Sequence, residues 1–339
     1  MKFQMRPFVL SLLLVMPPAF AKDDLSAWRL PPVPVPADNP QTTAKAKLGQ
    51  KLAFDVRLSK NDSMSCANCH LPATGGGGPT PRAFGHGGEL GRWAPSWVNS
   101  GYYSALFWDG RASSLEEQTG ALPGHMGPIS APGEMGGDMT TVVSKLNAIP
   151  AYRKEFNAAF GTDATPVAVA QALAAFERTL VANWSPFQRY VNGDAKALSD
   201  SAKRGFDVFR GKAACVTCHE PPALTDNKFH NIGVPAAGPL ADDAGRFDVT
   251  TNASDKGAFK TPTLYNSASL AYFMHNGAFS RLTQVVAHYN MGGNPKNPAQ
   301  DGLIFPLNLS AKEQNDLISF LKSLTDKRLD TIGAPADLP

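Results

Sequence analysis

The chain has 339 residues, 43% of them hydrophobic and 18% charged, which is the composition of a folded protein and excludes wholesale disorder. Its 30 glycines and 28 prolines predict long irregular stretches, without the strict period of a collagen-like chain. The formal net charge of +3 offers no concentrated basic face, so no nucleic-acid partner is expected.

At the N-terminus, Lys2 and Arg6 precede the apolar run Pro7 to Val15, and Ala19-Phe20-Ala21 forms a small-x-small cleavage box. Residues 1–21 therefore read as a secretory signal peptide, cleaved after Ala21. The run is far short of the roughly 20 apolar residues that span a bilayer. Pro17-Pro18 break it, and no later segment is long and apolar enough to span. A soluble exported protein is expected, periplasmic in a Gram-negative host. Residues 22–43 carry Pro31, Pro32, Pro34, Pro36 and Pro40 and predict an extended arm.

Further along, Gly75 to Gly78 predict a flexible loop that lacks the Lys-Ser/Thr of a phosphate-binding loop. Tyr152 to Phe160 and Ser201 to Phe209 predict helices. From Pro166 to Ala182, apolar residues recur at helical spacing, with Thr165 as N-cap and Pro166 at the first helical position. Ser310-Ala311-Lys312-Glu313 is a capping box before a helix that should bury Leu317, Ile318, Leu321 and Leu324. Alternating apolar runs are scarce, so the predicted fold is mainly α with long loops.

All four cysteines lie in two pentapeptides, Cys66-Ala67-Asn68-Cys69-His70 and Cys215-Val216-Thr217-Cys218-His219. C-x-x-C-H is the attachment pattern of c-type haem: the thiols bond the porphyrin edge and the histidine becomes an axial iron ligand. A zinc site needs four converging ligands, and these motifs lie far apart in sequence. A thioredoxin-like pair does not require the histidine. Two such motifs in an exported chain predict two covalent haems and leave no cysteine for a disulfide.

The chain also repeats itself. Residues 94–118 align without a gap to 261–285, with identities at Pro95/Pro262, Asn99/Asn266, Ser100/Ser267, Gly110/Gly277, Ser113/Ser280 and Leu115/Leu282. This is a duplicated domain rather than a solenoid. The expected organisation is two tandem cytochrome c-like domains, 44–185 and 186–339, after the signal and the arm. The sixth iron position could be filled by any of His86, His125, His230, His275, His288, the methionines or the tyrosines, and spacing alone does not choose among them.

From about residue 44 to 325 the sequence resembles the bacterial di-haem cytochrome c peroxidase / MauG family. SCANCH, the FGHG loop, APSWVN, FWDGRASSLEEQ, GPISAPGEMGG, ACVTCH, FKTPTLYN and FMHNGAFSRLTQVVAHYNMGG carry the resemblance. It implies that the haem on His70 is peroxidatic and that the haem on His219 accepts electrons. His86 matches the loop histidine that caps the first iron in resting peroxidases. Glu134 matches the distal carboxylate that moves the proton during O–O cleavage, and Gln118 a distal amide. Trp108 matches the tryptophan between the haems. Tyr289 stands where the second haem takes its sixth ligand, with Met291 as the alternative. Tyrosine there is the MauG-like choice, whereas His86 belongs to the peroxidase branch. The family's calcium site usually includes an asparagine where this chain has Trp93, which counts against Ca2+.

The leading expectation is an exported oxidoreductase that reduces hydrogen peroxide to water with electrons from a small cytochrome c or cupredoxin. The family also suggests a homodimer. Two alternatives stand beside it: a MauG-like oxidase acting on Trp or Tyr of a partner protein, and a non-catalytic di-haem electron-transfer cytochrome.

Overall fold

The computed structural model describes residues 24–240 and 242–339; the expected signal peptide lies outside them. The helices in chain order are α1 (Thr43–Phe54), α2 (Cys66–Cys69), α3 (Leu115–Gln118), α4 (Met139–Asn147), α5 (Pro150–Phe160), α6 (Pro166–Glu177), α7 (Pro186–Val191), α8 (Asp200–Arg210), α9 (Phe247–Thr250), α10 (Leu282–Asn290) and α11 (Ala311–Ser323). Two short antiparallel pairs complete the described structure: β1 (Phe84–Gly85) with β2 (Gly88–Glu89), and β3 (Phe229–His230) with β4 (Phe259–Lys260). No helix among the described residues is long and apolar enough to cross a membrane.

The caps follow the sequence. Thr165 accepts from Ala168 N with Pro166 leading α6, and Ser310 and Glu313 form the reciprocal box at α11. Helix α6 ends at Glu177 rather than continuing to Ala182, because the chain turns there to meet Asn99.

Each half is built on one close helix crossing. A Cβ on Gly49 of α1 would lie 1.9 Å from Ala172 O of α6 and 2.9 Å from the Phe176 Cβ. A Cβ on Gly205 of α8 would lie at the same two distances from Asp316 O and the Phe320 Cβ of α11. Only glycine allows backbones this near. The crossings make Ala172 and Phe176 the counterparts of Asp316 and Phe320. The loops agree: Asn99 (φ 59) and Asn266 (φ 60) both adopt the left-handed conformation that asparagine tolerates. Asn99 N donates to Leu180 O, and Asn266 N to Leu324 O. Their side-chain oxygens accept from Ala182 N and Asp326 N.

Two expectations change. The arm contains a 3-10 turn at Ser26–Trp28, and it is not loose. Trp28 is fully buried against Phe187, Phe206 and Phe209 of the second half, and the buried Asn39 donates to Glu116 of the first. The arm therefore ties the halves together. Gly75 to Gly78 are buried rather than open. A Cβ on Gly76 would lie 2.2 Å from Trp97, and one on Gly78 2.8 Å from Trp93 Nε1, so the glycines let two indoles lie against the main chain.

Candidate active site

A cavity of about 550 Å³ runs through both halves and is lined by both C-x-x-C-H motifs. The four thiols form no disulfide. Desolvation pushes the Cys66 and Cys215 thiols up to about 12, so they remain protonated. His70 stacks on Trp97, with ring centroids 5.6 Å apart and planes 15° from parallel. Its Nδ1 lies 3.3 Å from Gly76 O, and His219 Nδ1 lies 3.0 Å from Leu224 O. Desolvation holds both imidazoles below the ordinary histidine value. A neutral ring with Nδ1–H fixed on a carbonyl presents Nε2 as a metal ligand. The donor set in each half thus fits a c-type haem: two thiols, an oriented neutral imidazole and an apolar cavity.

The halves then diverge. Helix α3 and helix α10 start at equivalent leucines, Leu115 and Leu282. Helix α10 runs for 9 residues and brings Tyr289 to the cavity wall, where desolvation and then the Cys215 and Cys218 thiols raise its hydroxyl. Met291 follows at the helix end and is 65% exposed, outside the cavity lining. Helix α3 has 4 residues and ends at Gln118, which lines the cavity. The chain reverses at Gly120 (φ 72), whose backbone packs on Gly127 so closely that a Cβ would sit 2.5 Å from Gly127 N. The returning loop is held by Ile129 N to Thr119 O and Gly137 N to Ile129 O, and it carries Glu134 to the cavity. Desolvation raises the Glu134 carboxyl, against a smaller opposing pull from Arg111. Where the second half brings a tyrosine to the cavity, the first brings a carboxylate and an amide.

His86 is not brought to the cavity. Its backbone N donates to Glu134 O at 2.6 Å, but its side chain is exposed at the turn between β1 and β2. Beside it the backbone of Gly85 presses on Gly133 so tightly that a Cβ would lie 2.1 Å from the Gly133 oxygen. In this conformation the hairpin braces the Glu134 loop through its main chain.

Trp108 is buried at the junction of the halves, its Nε1 donating to Trp93 O at 2.9 Å. Trp93 is buried too, 6.5 Å from Trp108 between ring centroids, and donates its own Nε1 to Gly78 O. An indole offers no oxygen donor, so position 93 supplies no side-chain calcium ligand. Two backbone bonds cross the junction with matching partners: Trp93 N to His275 O at 2.7 Å, and Lys260 N to Trp108 O at 2.8 Å. Trp93 pairs with Lys260, and Trp108 with His275, in the aligned repeat. The halves therefore face each other about an approximate two-fold axis. Arg92 clamps the junction with two bonds to Asp243, both 2.7 Å, and one to Asp109 at 2.6 Å.

Of the further lining residues, His230 was among the sequence candidates for the sixth iron position, whereas Glu177 and Lys260 were not singled out. His230 sits between Asp226 at 2.9 Å and Asp301 at 2.6 Å, and is raised to about 11, first by the bond to Asp226. Cys218, Asp226 and His230 are near enough to share a metal, but a haem on the second motif would take the Cys218 thiol. Glu177 and Lys260 also line the cavity, and desolvation moves each to about 7. For Glu177 the available signal was a lone carboxylate ending an otherwise apolar helix.

The sequence pattern of di-haem cytochrome c peroxidases matches residues 43–196. A cytochrome-c peroxidase of Pseudomonas sp. (strain SCT) is 37% identical, over 87% of this chain and 84% of its own length. The methylamine utilization protein MauG of Methylorubrum extorquens is 41% identical, over 86% of this chain and 81% of its own. Among solved structures, a MauG-like protein associated with microbial copper homeostasis superposes with a TM-score of 0.81 at 31% identity, over 94% of this chain and 99% of that one. The di-haem peroxidase BthA of Burkholderia thailandensis follows at 0.73 and 25% identity, over 88% and 89%. Identity at this level over most of the chain, on a duplicated helical scaffold with a C-x-x-C-H motif in each half, places the protein in the di-haem cytochrome c peroxidase and MauG family of oxidoreductases.

Proposed function

We propose that the protein is an exported di-haem peroxidase that reduces hydrogen peroxide to two waters, taking up two protons and two electrons from a small cytochrome c or cupredoxin. The observation that carries the reading is the divergence of the two halves: Glu134 and Gln118 reach the cavity in the first, Tyr289 in the second. A haem on each motif would supply the iron redox chemistry. Cys66, Cys69 and His70 would hold the first, and Cys215, Cys218 and His219 the second. Tyr289 would complete the second iron's ligand set.

The protein's own groups handle protons and position. Ionised Glu134 accepts a proton from incoming peroxide and returns it to the departing oxygen, acting as base and then as acid at one carboxylate. Gln118 offers an amide to orient the oxygen atoms. Trp108, fixed by its bond to Trp93 O, lies on the short path between the halves. The apolar wall limits water around these groups. The signal peptide expected at residues 1–21 would deliver the chain to the periplasm, where covalent haem attachment takes place.

A second reading rests on Tyr289. A phenolate ligand favours oxidised iron, as suits a MauG-like oxidase that draws electrons from Trp or Tyr of a partner protein. Steady-state oxidation of a reduced small cytochrome c, at two equivalents per peroxide, is the expected result. Slow turnover with a long-lived oxidised state of both haems would favour the second reading. Two six-coordinate haems that ignore peroxide after one-electron reduction would overturn both and leave an electron-transfer cytochrome.

A further inference from the structure

The duplication exposes a carboxylate that only one half possesses. The counterpart of Glu177 at the end of α6 is Leu321 on α11, by the same offset that relates Ala172 to Asp316, Phe176 to Phe320 and Leu180 to Leu324. Both residues line the cavity. A matched serine lines the cavity in each half. Ser100 Oγ donates to Glu177 Oε2 at 3.2 Å, whereas the buried Ser267 Oγ has no hydrogen-bond partner. The hydroxyl is kept in both halves, and its acceptor exists only in the first.

We propose that Glu177 is a redox-tuning residue of the first haem site: its carboxylate favours oxidised iron at the Cys66–His70 motif and so lowers the reduction potential of that haem relative to the one at Cys215–His219. The inference rests on the two-haem reading above. Its physics is the Coulomb attraction between a carboxylate and the extra positive charge of ferric iron, strengthened where protein rather than water fills the space between them. Glu177 lines the cavity together with Cys66, Cys69 and His70, and its charge adds to desolvation in raising the Cys66 thiol, so a haem tethered there would lie within reach of that charge. The neighbouring cation does not cancel it. Arg178 is bound by both oxygens of Glu116, each at 2.9 Å. The remaining carboxylate near Cys66, Glu134, reaches the cavity from the 127–137 loop and adds charge of the same sign. Leu321 gives the second site no such charge.

The test is a spectroelectrochemical titration of the holoprotein at pH 9, where Glu177 is ionised, with haem content measured as pyridine haemochrome. In E177Q the first haem's potential rises and the second's stays. E177D retains the low potential. The reciprocal L321E lowers the second haem's potential alone. An unchanged first potential in E177Q, or equal shifts at both haems, overturns the role of Glu177 while the haem reading stands. A wild-type chain carrying fewer than two covalent haems overturns the haem reading, and this inference with it.

Discussion

Trp108 and His275 occupy the same position in the two repeats and meet edge to face across the junction, with ring centroids 6.5 Å apart. His275 in turn stacks on Phe259 at 3.6 Å, so aromatic rings run without a break from the first half into the second. Duplication explains the geometry: residues related by an approximate two-fold axis meet on the axis. The sequences then specialised, and only the first half kept an indole there. Replacing Trp108 by Phe should keep the fold, because the site is apolar, while removing the most easily oxidised ring on the path. The expected outcome is two intact haems and at least a tenfold slower oxidation of the second haem after peroxide, about 1.4 kcal/mol of barrier. Stopped-flow absorbance at the two haem bands measures it.

Glu134→Gln removes the proton-exchanging oxygen and keeps the shape. Loss of a positioned acid–base group typically costs about 10²–10⁴-fold, and that loss is expected in kcat/KM for peroxide with haem content unchanged. Unchanged kinetics would remove Glu134 from the mechanism. The pH profile carries a second signature. Desolvation raises the Glu134 carboxyl above its ordinary value, and the ionised form is the one that accepts the peroxide proton. Activity should therefore fall as pH drops through a value above 4.5, and Glu134→Gln should lack that acid limb.

Tyr289 and Met291 separate cleanly. Tyr289 lines the cavity beside the second motif, and Met291, two residues on, is 65% exposed. Tyr289→Phe should change the EPR and visible spectra of the second haem and leave the first unaltered. Met291→Leu should change neither. A spectral change in the methionine variant alone would reverse the ligand assignment.

What could be read from the sequence was what is local or repeated. The haem motifs and the caps at Thr165 and Ser310 are short patterns whose physics lies within a few residues, and the matched asparagines show in the repeat. The aligned repeat stops at Gln118, which is where α3 ends. What could not be read depends on contacts between distant segments. Proline content marks residues 22–43 as an arm but does not report that Trp28 enters the second half's core. Four glycines in a row indicate freedom of the backbone, and nothing in them reports that Trp93 and Trp97 use it. His86 carries the right neighbours in sequence, yet main-chain contacts of Gly85, His86 and Gly87 with Gly133 and Glu134 hold a turn on which its side chain is exposed.

The helix crossings yield the sharpest stability prediction. At Gly205 the Cβ of alanine would lie 1.9 Å from Asp316 O, a backbone atom that cannot rotate aside. Helices α8 and α11 must then separate. Asp316 also binds Arg204 through both oxygens and Ser201 through Oδ1, so separation strains three side-chain bonds as well. Alanine ordinarily favours a helix by about 1 kcal/mol over glycine, which works in the opposite direction. Overpacking of this kind costs about 1–3 kcal/mol, and a backbone clash belongs at the upper end. Gly205→Ala should therefore be net destabilising, by about 1–2 kcal/mol in denaturant unfolding. Gly49→Ala should do the same in the first half. Gly161, where an added Cβ meets nothing within 4 Å, is the control for steric contact. Its φ of 72° still strains alanine, so any loss there measures backbone conformation without the clash.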